Sequence, residues 1–147
     1  MDIDNDILYL ICLHLDNRSF INLLMTNKCY YNDYKKFISL NNNYYYDNIK
    51  EKLDDYIFKN ILHITDDLDI PHQITQLIFD DKFNKQIKKH VLPKLLTHLK
   101  FGWDFNQPIN ENLLPQNIKE IKLSANYKFK KNFSADISNK VIYVTYK

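Results

Sequence analysis

Apolar residues change their spacing twice along this chain. Up to about residue 37 they recur every three or four positions, the period of a helix face. They form three groups: Ile7, Leu8, Ile11 and Leu15, then Phe20, Ile21, Leu23 and Leu24, then Cys29, Tyr30, Tyr34 and Phe37. Polar breaks at Asp16-Asn17 and Thr26-Asn27 separate the groups, and Asp4 or Asn5 stands where the first helix needs a cap. Three short helices in a small bundle are predicted over residues 1–37. Residues 38–69 read as a connecting segment. Asn41-Asn42-Asn43 has turn composition, Ile49, Leu53, Tyr56 and Ile57 have the spacing of a connecting helix, and Ile61-Leu62-His63-Ile64 is a strand that caps the repeats beyond it.

From residue 70 the pattern repeats with a period of about 22 residues, within the range of stacked repeat architectures. Ile74-x-x-Leu77-x-Phe79 returns as Leu96-x-x-Leu99-x-Phe101 and as Ile118-x-x-Ile121-x-Leu123. A fourth copy, Val141-x-x-Val144-x-Tyr146, arrives one position late. Pro71, Pro93 and Pro115 each precede the first apolar position, where a missing N–H does not break a strand ladder. The repeats lie near 70–91, 92–113 and 114–136, with a partial one at 137–147. A unit of this length cannot bury its apolar face alone and stacks on its neighbours. Alternation within each strand sends the leucine-like positions inward and leaves two outward columns. These are Gln76, His98, Glu120 and Tyr143, and beside them Ile78, Lys100, Lys122 and Thr145. Asn84 and Asn106 stand where the chain leaves the strand, and their amides are placed to bond the backbone of the adjacent coil. Lys128 holds that place in the third repeat and should end the ladder. Gly102 holds a turn position that is Asp80 in the unit before and Ser124 in the unit after, which reads as turn chemistry. The fold class is thus α+β, a helical bundle followed by a short parallel-strand solenoid.

Composition narrows the function. The net charge is only +2, with 20 basic against 18 acidic residues. Arg18 is the only arginine, so bidentate phosphate or base readout is poorly served. Cys12 and Cys29 lack a disulfide framework, and His14, His63, His72, His90 and His98 lack metal-ligand spacing. No nucleophile, P-loop or metalloprotease motif occurs. No cofactor, metal or catalytic residue is expected, and the acidic start with no long apolar run points to a cytoplasmic protein. The lysine clusters Lys85, Lys88, Lys89 and Lys128, Lys130, Lys131 leave a nucleic-acid-binding solenoid open as an alternative.

Two resemblances sharpen this picture. Leu92-Pro93-x-x-Leu96-x-x-Leu99-x-Phe101-Gly102-x-x-Phe105-Asn106-Gln107-Pro108-Ile109 resembles the FNIP repeat, a relative of the leucine-rich repeat. Pro71 with Phe83-Asn84 and Leu114-Pro115 with Tyr127 carry it into the flanking units, so it covers about residues 70–147. Ile3, Asp6, Ile7, Ile11 and Leu15, then Phe20 to Leu24, then Met25-Thr26-Asn27-Lys28, resemble an F-box. Asp4 stands in place of the family's proline, and no tryptophan follows the third helix. The pairing of the two is similar to a family abundant in large amoebal viruses and social amoebae. It implies a non-enzymatic substrate receptor of a Skp–cullin–F-box type ubiquitin ligase. Adaptor contacts would fall on Ile3, Ile7, Ile11, Leu15, Phe20 and Leu24, and a target protein on the outward columns. An interaction or decoy protein that occupies the adaptor or a target without promoting ubiquitination is the alternative within the same resemblance.

Overall fold

The computed structural model describes residues 39–54 and 56–145, together with Leu15, Ser19, Asn22 and Leu23. The chain divides into two compact units, Met1–Asn42 with Ile49–Lys59, and Asn43–Asn48 with Asn60–Lys147. Among the described residues the elements run β1 (Ser39–Tyr45), α1 (Tyr46–Ile49), β2 (Ile57–Thr65), β3 (Gln76–Phe79), β4 (His98–Lys100), β5 (Glu120–Ser124), α2 (Ala135–Ser138) and β6 (Val141–Val144). The strands lie side by side in sequence order, and β2 to β6 are parallel.

The connecting segment departs from its sequence pattern. Asn41, Asn42 and Asn43, with the composition of a turn, lie in β1. The Asn43 carboxamide oxygen accepts from Gln76 Nε2 at 3.4 Å, so a long-range partner takes up the polar group that a turn would otherwise satisfy. The helical spacing from Ile49 to Ile57 yields only the single turn α1 and a 3-10 turn at Lys50–Lys52, while Ile57 opens β2. The run Ile57 to Thr65 is rich in β-branched and aromatic residues. A strand that can join a ladder overrides a weak local helical pattern.

The stack is built from five apolar positions per unit. Ile74, Leu77, Phe79, Phe83 and Ile87 are buried in the first unit, and Leu96, Leu99, Phe101, Phe105 and Ile109 in the second. Ile118, Ile121, Leu123 and Tyr127 continue the rows. The register is as the period requires, Leu77 beside Leu99 and Leu99 beside Ile121. After each proline the chain turns once. The N–H of Ile74, Leu96 and Ile118 donates to the carbonyl of Pro71, Pro93 and Pro115, respectively, at 3.1–3.3 Å. This turn drops an apolar side chain into the core before the strand begins. Fully burying one such side chain stabilises by about 1.5–3 kcal/mol, but each does so only against the next unit.

Aromatic rings fill the side where the chain leaves the sheet. Phe79 stacks on Phe83 and Phe101 on Phe105, both at 3.9 Å between centroids. Between units Phe83, Phe105 and Tyr127 stack at 5.9 and 6.1 Å. The Tyr127 hydroxyl closes the row by donating to the Gln107 carbonyl at 3.0 Å and accepting from the Ile109 N–H at 3.2 Å. Desolvation pushes the Tyr127 phenol above its ordinary range, partly offset by the Ile109 N–H and reinforced by Tyr143. The folded chain therefore keeps this proton at pH values where the unfolded chain has begun to lose it. Stability should be undiminished below about pH 10 and should decline as pH rises past it. Tyr127→Phe should remove that component from the alkaline limb of a pH–stability curve. At neutral pH it should cost about 1–3 kcal/mol by stranding the Ile109 and Gln107 backbone groups.

Outside the rings runs an amide ladder. Asn84 Oδ1 accepts the Asn106 N–H at 2.9 Å, and Asn106 Oδ1 accepts the Lys128 N–H at 3.0 Å. Lys128 brings no acceptor of this kind, so the ladder ends where the sequence indicates. The exposed residue His90 has a φ of 66°. A left-handed conformation costs a residue with a Cβ about 1–2 kcal/mol, of which Gly would return roughly 0.5–1 kcal/mol through its freer unfolded chain. His90→Gly should thus raise stability slightly, read as a melting temperature a few degrees higher.

Candidate functional site

Strand pairing sets two rows on the outer face of the sheet. The first is Leu62, Gln76, His98 and Glu120, each in register with the next. The second is Ile64, Ile78, Lys100, Lys122 and Ile142. Gln76, Ile78, His98, Lys100, Glu120 and Lys122 are all half-buried, because each leans on the same row of the neighbouring strand. With Leu62 and the edges of Leu77 and Leu99 they line a shallow depression of about 230 Å³. Six of the eight residues expected to face a target are therefore brought together.

Tyr143 and Thr145 are not. β6 pairs with β5 so that Val141 lies beside Ile121, Ile142 beside Lys122 and Tyr143 beside Leu123. The spacing that put Val144 beside Ile121 is off by three residues. The cause lies in the return segment, which lacks the proline-led turn of the earlier units. Ser134 caps the one-turn helix α2 instead, and the Lys140 N–H bonds the Ile137 carbonyl directly before the strand. The chain thus reaches the sheet earlier. Ile142, 46% exposed, takes the outer position, and Tyr143 carries the Lys130 ammonium 4.8 Å above its ring. Thr145 lies past the end of β6.

Leu62, Ile64 and Ile142 are the members of this face that the periodicity missed. Leu62 pairs with Gln76, whereas Gln76 pairs with His98. The first of these steps is shorter than the period, so a scan for the repeat passes over β2. The alternation of Leu62 and Ile64 within the predicted strand was the available signal.

The charges on the face are arranged. Lys122 Nζ pairs with Glu120 Oε1 at 2.8 Å. Thr97 Oγ1 donates to the Thr75 carbonyl at 3.0 Å and lies 2.8 Å from His98 Nδ1. A hydroxyl has one proton, so Nδ1 donates to it. In the neutral ring this leaves Nε2 as an acceptor.

The opposite, return-loop side has a depression of about 470 Å³ whose lining includes Lys89, His90, Lys94, Asn112 and Asn117. Its lysine clusters are partly engaged within the chain. Lys85 pairs with Asp67 at 3.2 Å, and the Leu68 N–H, then Lys85, hold the Asp67 carboxyl below its ordinary range. Lys130 also bonds the Ala125 carbonyl. Among the described residues no group of three His, Cys, Asp or Glu side chains is placed to hold a metal, and no helix is long and apolar enough to cross a membrane. Of the adaptor residues, Leu15 is half-buried, while Ile3, Ile7, Ile11, Phe20 and Leu24 lie outside the described residues.

No curated protein and no solved structure matches this chain. The FNIP Repeat family matches it three times in overlapping register, over residues 62–104, 83–126 and 105–141. The matched span runs from β2 into β6, covers more than half of the 147 residues, and contains both rows just described except Ile142. The periodic sequence, the parallel stack and the family match coincide on the same residues, and the chain belongs to the FNIP repeat family.

Proposed function

We propose that this chain is a target-recognition subunit. Its N-terminal segment docks on the Skp-type adaptor of a cullin–RING ubiquitin ligase, and its repeat sheet holds the protein to be modified. The repeat stack is a non-enzymatic interaction module whose interior is filled by packed side chains. Its contribution to the reaction is to raise the effective concentration of the target's lysines near a conjugating enzyme held on the same assembly. The observation that carries the target half is the outer strand face, where six polar and apolar side chains from three successive strands converge on one depression. Exposed strand faces are the extended binding surfaces of stacked repeats. The adaptor half is supported by the F-box resemblance of residues 3–28.

Ile11 and Leu15 stand four residues apart in the sequence, the spacing of one turn in the expected helix, where two apolar knobs could enter a partner groove. Truncating large anchors in an interface often costs about 2 kcal/mol or more. Ile11→Ala with Leu15→Ala should weaken adaptor binding at least tenfold by calorimetry, with the melting curve of the repeats as the control for folding. Absence of binding between the unaltered chain and the Skp-type adaptor of the cell in which it acts would sink the ligase reading. The sheet would remain as an interaction module. Binding to adaptor and target without ubiquitin transfer in a reconstituted ligase would identify the decoy alternative.

A further inference from the structure

The last strand of the sheet has one side without a neighbour. β6 ends the strand order, and among the described residues nothing pairs with its far edge. The two inward rows register the change. Leu77, Leu99 and Ile121 are buried, and Val141 at the end of their row is half-buried. Phe79, Phe101 and Leu123 are buried, while Tyr143, in register with Leu123, is 38% exposed. On the outer face Ile142 is exposed. The backbone groups divide in the same way. The Ile121 N–H donates to the Lys140 carbonyl and the Ala125 N–H to the Val144 carbonyl, at 2.8 and 2.9 Å. In a parallel ladder alternate residues turn both backbone groups to one neighbour, so Ile142 joins Lys140 and Val144 in facing β5. Val141 and Tyr143 turn theirs to the open edge. Edge strands are commonly blunted by lysine or proline, yet Val141-Ile142-Tyr143-Val144 contains neither and carries no charge.

We propose that β6 pairs antiparallel with β6 of a second copy of this chain, about a two-fold axis at Ile142. Open groups must meet open groups, so Val141 lies opposite Tyr143 of the second copy, and Tyr143 opposite Val141 of the second copy. In each pair the two residues exchange both N–H···O bonds, which uses every backbone group that Val141 and Tyr143 turn outward. Ile142 meets Ile142 of the second copy at the non-hydrogen-bonded site, where Cα atoms are about 4.5 Å apart. That contact covers the most exposed side chain of the strand. On the inward face each Tyr143 ring lies beside a β-branched Val141, a favourable cross-strand pair. Charge and symmetry identify the occupant. The strand offers no charge to select a different protein, and its nearest flanking charge, Lys140, falls opposite Val144 and not opposite its own copy. The two-fold axis also closes the contact, since neither copy keeps a free β6 edge. The axis stands perpendicular to the sheet, so both outer faces look the same way and one dimer presents the target-facing rows twice.

Sedimentation equilibrium of the full chain over a concentration series should show a mass rising from 17.8 kDa to twice that value. Ile142→Glu sets two carboxylates against each other at the axis, while Lys122, beside position 142 in register, keeps the change compatible with the chain's own sheet. It should weaken association at least tenfold and leave the circular dichroism spectrum unaltered. An equal mixture of the Ile142→Glu and Ile142→Lys chains should associate again, as mixed dimers. Ile142→Cys reads the register directly. A Cα separation of about 4.5 Å lies within the range that a disulfide spans, about 4.4–6.8 Å. Mild oxidation should therefore link two chains through position 142, identified by mass spectrometry of the linked peptides, whereas Ile78→Cys should give no link through position 78. A chain that stays at the monomer mass up to about 1 mM, where even weak association is visible, would overturn the proposal. So would a dimer that Ile142→Glu leaves intact, or an Ile142→Cys dimer that forms no link through position 142, because its copies would then meet through another surface.

Discussion

Leu99→Asp should abolish cooperative unfolding of the repeat stack at 25 °C, whereas Lys100→Asp, one residue away, should leave it close to unaltered. Leu99 is 2% exposed and lies between Leu77 and Ile121 in register. Removing a buried leucine side chain costs about 2–5 kcal/mol through lost transfer and the residual cavity. An unpaired carboxylate in the same place adds several kcal/mol of desolvation or forces protonation. A domain of this size has about 5–15 kcal/mol to lose, so the two costs together consume most or all of it. The middle position matters, because a unit that melts here separates its neighbours and leaves each with an uncovered apolar face. Side chains on a strand alternate faces, so position 100 tests the register at the same depth in the stack. Lys100 is half-buried on the outer face, and a carboxylate there stays in contact with water. Thermal denaturation of both variants by circular dichroism checks the pair. A cooperative transition for Leu99→Asp near that of the unaltered chain would refute the inward assignment of its row.

The middle of this fold was legible because one rule is applied three times. Each proline-led turn and inward pair recurs at the same distance, with a Phe-Asn exit in the first two units and Tyr127-Lys128 in the third, so the register of β3, β4 and β5 follows from counting. The Asn84 and Asn106 ladder and its end at Lys128 follow from the same count. Legibility failed where the count changes. β2 sits closer to β3 along the chain than the repeat interval allows. The return segment before β6 substitutes the Ser134-capped turn for a proline, so Tyr143 and Thr145 were assigned to rows they do not join. β1 was hidden by composition, since three asparagines signal a turn only when no strand is available to accept them. The outer face suffered least, because its six central residues sit in the periodic strands. Its apolar end, Leu62 and Ile64, was missed for the same reason as the offset of β2.

Gly102 is where the physical cause differs from the one the sequence suggests, and the difference has a large measurable consequence. Its place beside Asp80 and Ser124 in neighbouring repeats reads as turn chemistry, for which backbone freedom is the usual reason. Yet its φ is not in the left-handed region, so Ala could adopt the conformation without strain. The constraint is contact between coils. A Cβ at position 102 would lie 2.3 Å from both the Asp80 carbonyl oxygen and Asp81 Cα, and 2.6 Å from the Asp80 carbonyl carbon. These are backbone atoms, held in turn by the Asp104 N–H, which donates to the Asp81 carbonyl at 2.9 Å. No flexible side chain is there to move aside. The second coil must either lift off the first or shift along it, and both motions disturb the Phe79–Phe101 stack at 5.3 Å. Overpacking a well-filled site costs about 1–3 kcal/mol and sometimes more, and a clash with fixed backbone belongs at the upper end. Gly102→Ala should therefore lower the melting temperature by on the order of 10 °C or more, at about 4–8 °C per kcal/mol for a domain of this size. A merely conformational role would instead predict stabilisation by about 0.4–1 kcal/mol, because Ala restricts the unfolded chain more than Gly does. The sign of the shift separates the two causes. Ser124, buried at the corresponding place with its Oγ accepting the Asn126 N–H at 3.2 Å, shows that the next coil tolerates a side chain there. The requirement thus belongs to the contact between the first and second coils alone, and Ser124→Ala should cost only its hydrogen bond, about 0.5–1.5 kcal/mol.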